Sequence, residues 1–66
     1  MVVFLNDKPY EVAEGTTLAA FIESLGLKHE GMAVAFDYEA IPKSMWSEVV
    51  LFDRMELLFV QAMSGG

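Results

Sequence analysis

Hydrophobic and polar positions along the chain follow two different periods. Val2–Leu5 is a run of β-branched, aromatic and aliphatic residues closed by the turn cluster Asn6-Asp7-Lys8-Pro9. Polar and apolar residues then alternate from Tyr10 to Val12 until Ala13, Glu14 and Gly15 break the pattern. Runs bounded in this way predict two strands, residues 2–5 and 10–12, joined as a hairpin. The period changes in TTLAAFIESLGL, where Leu18, Phe21, Ile22 and Leu25 recur at i, i+3, i+4 and i+7 and so share one face of a helix. Thr17 is placed to cap that helix, Gly26 to end it in the left-handed region, and Leu27 to fold back on Ile22.

Beyond the helix, MAVAF (32–36) predicts a third strand, with Asp37 in a turn and a short stretch of pairing at Ala40 and Ile41 before Pro42 stops it. PKSMWS predicts a single helical turn with Pro42 near its start. VVLF (49–52) and LLFV (57–60) are further strand candidates around the turn at DRME. The order is β-β-α-β, an irregular part, then a last β. With the first and last strands side by side and the helix over one face, this predicts an α+β, β-grasp (ubiquitin-like) fold: a mixed sheet with one main helix. Residues 1–60 would make the domain and 61–66 a flexible C-terminal Gly-Gly tail.

The strands are too apolar for a sheet covered on one side. In LLFV, Leu57 and Phe59 point one way and Leu58 and Val60 the other; in VVFL, Val3 and Leu5 oppose Val2 and Phe4. One helix covers one face. The second face is therefore exposed in part, or covered by the segment that carries Met45 and Trp46. Exposed together, Phe4, Leu58 and Val60 would form an apolar patch of the kind that marks a partner site, at the root of the tail.

Composition narrows the function. A chain of 66 residues is near the lower limit for an unstapled core, and the absence of cysteine removes disulfides and thiolate metal sites. Packing must supply the stability, and 55% hydrophobic residues with five Phe, two Tyr and one Trp can do so. Four basic residues against ten acidic ones give a net charge of −6, which disfavours nucleic acid and anionic membrane surfaces. The cytoplasm is the expected location. A metal site lacks ligands, His29 is the sole histidine, and Ser44, Ser47 and Ser64 have no neighbouring base in sequence. Gly15, Gly26 and Gly31 are isolated turn residues and make no phosphate loop. No cofactor site and no catalytic residue are expected, and Trp46 is expected to serve as a core or lid residue.

The terminal QAMSGG is then the chemical feature that remains. Glycines contribute nothing to a core, but Gly65 and Gly66 make a thin, permissive stalk for an α-carboxylate. From Gln61 to Gly66 the chain can extend roughly 20 Å, enough to thread Met63, Ser64 and Gly65 into a recessed site on another protein.

FLND, EGTTLAAFIESL, GMAVAFDYEAIPKSMW and LLFVQAMSGG together resemble the sulfur carriers of thiamine biosynthesis, the ThiS family, from end to end. The most specific part is Ile41-Pro42-Lys43 followed by Trp46. The resemblance implies a ubiquitin-like β-grasp domain whose Gly66 is adenylated by an E1-like (ThiF-like) adenylyltransferase using ATP and Mg. It further implies conversion of that adenylate to a thiocarboxylate by a persulfide sulfur donor, and delivery of the sulfur to a thiazole synthase (ThiG-like). In two places the chain departs from the family pattern. Asp53-Arg54-Met55 stands where Asp-Gly-Asp is usual, which predicts a different turn, and Asp37 stands for an Asn. Alternative readings are a carrier for molybdopterin or another sulfur pathway, a lysine-conjugated ubiquitin-like modifier, and a plain interaction domain. The molybdopterin-synthase small subunits tend to have prolines before their glycines, and VQAM has none.

Overall fold

Asn6 and Asp7 both take positive φ, 50° and 68°, the hand that allows two residues to reverse a twisted ladder. The first hairpin therefore turns within those two residues. The computed structural model describes residues 1–26 and 32–61, and in it strand β1 spans Val2–Leu5 and β2 spans Lys8–Glu11. The predicted start of β2 at Tyr10 is thus corrected. Lys8 and Pro9 belong to the strand, Leu5 pairing with Lys8 and Phe4 with Pro9. Strand β2 is an edge of the sheet; the pair flanking the two-residue turn, Leu5–Lys8, is the hydrogen-bonded one, and the next, Phe4–Pro9, is non-hydrogen-bonded. The N–H that proline lacks is one this ladder does not need.

Helix α1 spans Leu18–Ser24. Its first amides are all accounted for: Leu18 N–H donates to the Val49 carbonyl (2.8 Å), Ala19 N–H to the Trp46 carbonyl (3.1 Å) and Ala20 N–H to the Thr17 hydroxyl (3.1 Å). Thr17 is the predicted cap. Leu25 closes the helix, and Gly26 at φ 69° sends its N–H to the Glu23 carbonyl (3.0 Å), one of the two bonds of a Schellman ending. The Leu27–Ile22 contact and His29 lie outside the described residues. Leu18, Phe21 and Ile22 are buried and Leu25 half-buried, so the helical stripe faces the sheet as its spacing required.

Strand β3 (Met32–Phe36) turns at Asp37 and Tyr38, both at positive φ, into β4 (Glu39–Ile41). Pro42 opens a 3₁₀ turn over Lys43–Met45, and the last strand, β5, runs Glu56–Gln61. The sheet order is β2-β1-β5-β3-β4, with β1 parallel and β3 antiparallel to the central β5. The predicted strand at 49–52 does not form. Apart from one isolated bridge between Thr17 and Val50, this segment spends its backbone on the helix entrance, Leu51 N–H donating to the Thr16 carbonyl (2.9 Å). A β-branched run here covers the helix end and adds no rung to the sheet.

The core joins both layers: Val3, Leu5, Met32, Val34 and Leu57 from the sheet, Leu18, Phe21 and Ile22 from α1, and Trp46, Leu51 and Met55 from the irregular segment. Trp46 is 3% exposed and its indole N–H donates to the Ile41 carbonyl (2.9 Å), so the polar end of the ring is satisfied inside. The segment that carries it closes the helix side of the sheet.

Asn6 ties the sheet together. Its N–H donates to the Leu57 carbonyl (3.0 Å), its side-chain Nδ2 donates to the Phe59 carbonyl (3.1 Å), and its Oδ1 accepts from the Phe59 N–H (2.8 Å). The side-chain amide thus carries the β1–β5 ladder past the point where β1 turns away. Asn6→Gly keeps the left-handed backbone and removes both side-chain bonds, and should cost about 1–3 kcal/mol in urea unfolding. A loss under about 0.5 kcal/mol would mean that water replaces the amide at no cost.

Candidate functional site

Residues paired across a ladder share a face of the sheet. Ala33 pairs with Val60 and Ala35 with Leu58, whereas Val34, which is buried, pairs with Phe59. Leu58 and Val60 therefore point away from the helix, and they are 52% and 51% exposed. Phe4 pairs with Glu56, two residues before Leu58, which puts it on the same outer face; it is half-buried. The three residues expected to form an apolar patch are thus brought to one face, and Trp46 and its segment lie on the other. Small side chains flank them: Ala33 and Ala40 are exposed and Ala35 is half-buried, giving a low floor from which Leu58 and Val60 rise.

The patch extends away from the tail as well as toward it. Val60 is next to Gln61, where β5 ends, while Phe4 and Leu58 line a groove near the opposite end of that strand. Met63, Ser64, Gly65 and Gly66 lie outside the described residues. Sequence reasoning missed the groove's aromatic wall. Phe36 and Phe52 meet edge-on, with centroids 5.5 Å apart at 82°, Phe52 is half exposed, and Tyr38 stands fully exposed on the β3–β4 turn. The available signal was Tyr38 itself, a bulky residue at a turn position that favours glycine.

Arg54 takes φ 64°, the left-handed region in which glycine is favoured, so the different turn expected from the loss of glycine is not required by its own backbone. The turn is tied to β1 at both groups of one residue: Val2 N–H donates to Asp53 Oδ1 (2.9 Å), and Arg54 N–H donates to the Val2 carbonyl. The Arg54 side chain is exposed and reaches Asp53 Oδ2 at 3.9 Å. Among the described residues no cluster of three or more His, Cys, Asp or Glu could hold a metal ion, and no helix is long and apolar enough to cross a membrane.

Residues 3–66 match the model of the ThiS family. The chain belongs to the ThiS family. The sulfur carrier protein ThiS of Escherichia coli (strain K12) is 27% identical to it over 66 residues, which span the whole of both chains. The crystal structure of the thiamine biosynthesis protein ThiS from Geobacter metallireducens superposes with a TM-score of 0.85, covering all of both chains at 23% identity, and shares the fold. As a ThiS-family sulfur carrier of thiamine biosynthesis, the protein has the β-grasp sheet expected from its element order, with the outer face of β5 uncovered beside the strand's exit.

Proposed function

We propose that the protein works as a co-substrate and that partner enzymes carry out the catalysis, its reactive group being the carboxylate of Gly66. An E1-like adenylyltransferase binds the outer face at Leu58, Val60 and Phe4 and receives the terminal residues, with Gly65, Ser64 and Met63 threaded into its active site. There the carboxylate oxygen attacks the α-phosphorus of ATP, pyrophosphate leaves, and an acyl-adenylate forms with Mg and ATP held by the enzyme. A persulfide sulfur then attacks the acyl carbon and AMP leaves. A second thiol cleaves the resulting sulfur–sulfur bond, becoming a disulfide and freeing the thiocarboxylate, which a thiazole synthase consumes.

The observation that carries this reading is the uncovered apolar stripe on β5, on the strand that runs directly into the Gly-Gly segment. From Val60 to Gly66 an extended chain reaches roughly 20 Å, so a body docked at the stripe can deliver its carboxylate to a recessed site. The small and unbranched residues of the tail suit a narrow channel.

Mixing the protein with ATP, magnesium and an E1-like enzyme should release pyrophosphate in proportion to carrier. Val60→Asp places a charge on the stripe where β5 leaves the sheet, at a half-exposed position outside the buried core, and should raise the carrier KM at least tenfold with the melting temperature unchanged. An unchanged KM would remove the stripe from the interface.

A further inference from the structure

We infer that the groove at the turn end of the sheet is a second anchor point, taking an arginine or lysine side chain that a partner protein presents next to an apolar residue. This rests on the reading that the outer face meets an enzyme, and it adds what that enzyme must offer. The groove has a volume of about 500 Å³ and is walled by Phe4, Phe36, Tyr38, Phe52 and Leu58. Asp7, Asp37 and Glu56 also line it, and Arg54, the one cation among the described residues that line it, has its guanidinium beside Asp53 at 3.9 Å. Aromatic faces and carboxylates around an open apolar floor suit a cation whose alkyl stem packs below it.

Tyr38 is the second observation. It holds φ 66°, which is strained for a bulky side chain, and its ring is fully exposed, so burial of the ring gives the isolated fold nothing in return for that strain. An exposed ring kept in a costly conformation at the lip of an aromatic groove is accounted for by what it covers when a partner arrives. Charge decides the occupant. A second copy of this chain brings a net charge of −6 to an acidic rim, whereas a basic segment brings the opposite sign. Contact here and at Val60 would hold the domain at both ends of β5 and fix the direction in which the terminal residues leave.

The first test uses peptides on ¹⁵N-labelled protein. Acetyl-Leu-Arg-Leu-amide at millimolar concentration should shift the amides of Phe36, Tyr38, Phe52 and Glu56 saturably, and acetyl-Leu-Glu-Leu-amide should not. Tyr38→Asn keeps a residue that tolerates the left-handed turn, and Glu56→Gln removes one charge; each should weaken the arginine peptide about fivefold or more. Equal shifts with both peptides, no shifts, or full binding by Tyr38→Asn would overturn the inference. So would concentration-dependent dimerisation of the wild type abolished by that substitution. With an E1-like enzyme, Tyr38→Asn should raise the carrier KM while kcat holds, and an unchanged KM would also overturn it. Failure of wild-type protein to release pyrophosphate sinks the proposed function instead, and the peptide result still decides the groove.

Discussion

Deletion of Gly66 should abolish ATP-dependent activation and leave the unfolding transition in place. The truncated chain still ends in a carboxylate, but that carboxylate is set back by one residue, about 3.5 Å. A misplacement of about 1 Å in a positioned reactant already costs on the order of a hundredfold in rate. Pyrophosphate release should therefore fall by at least about two orders of magnitude. The fold should not notice, because among the described residues the buried core runs from Val3 to Leu57, nine positions before Gly66. The pair of measurements is pyrophosphate release with the E1-like enzyme and a thermal melt followed by circular dichroism. Activation that survives truncation would move the reacting atoms away from Gly66, and loss of the cooperative melt would make the last residue part of the fold.

Trp46→Ala should produce the largest loss of stability of any single change considered. The indole is buried among residues from both layers and donates to the Ile41 carbonyl, while the Trp46 backbone carbonyl, which alanine would keep, accepts from the Ala19 N–H at the helix entrance. Truncation leaves a cavity where helix, sheet and irregular segment meet and removes the indole's hydrogen bond to the Ile41 carbonyl, at a cost of about 3–5 kcal/mol. A domain of 66 residues has roughly 3–10 kcal/mol in all. The variant should thus be partly unfolded at 25 °C in buffer, as measured by urea titration with far-ultraviolet detection. A destabilisation under about 1 kcal/mol would show that the irregular segment is an independent lid.

The legible parts of the fold were those set by neighbours in sequence. Thr17, the stripe from Leu18 to Leu25, and Gly26 specify the helix within one short stretch, and the structure uses each as its chemistry suggests. Residues 49–52 and Pro9 misled for a common reason: local propensity does not reveal which backbone groups have a partner waiting. The amides of α1 take up the Val49 and Trp46 carbonyls, and Pro9 fits a strand because β2 is an edge. The conflict between the two faces of LLFV was visible, and it located Leu58 and Val60 correctly on the uncovered side. The Asn6 amide bridge and the aromatic groove were not visible. Both depend on strand register across most of the chain, which brings Asn6 to Phe59 and Phe4 to Glu56.

The central claim is chemical, so intact mass spectrometry tests it most directly. Protein incubated with ATP, magnesium, an E1-like enzyme and a persulfide donor should gain the mass difference of one sulfur replacing one oxygen. Fragmentation should place that change on Gly66, and the gain should disappear when ATP is withheld. A chain that keeps its mass under every condition, or one that carries the sulfur elsewhere, would contradict the account.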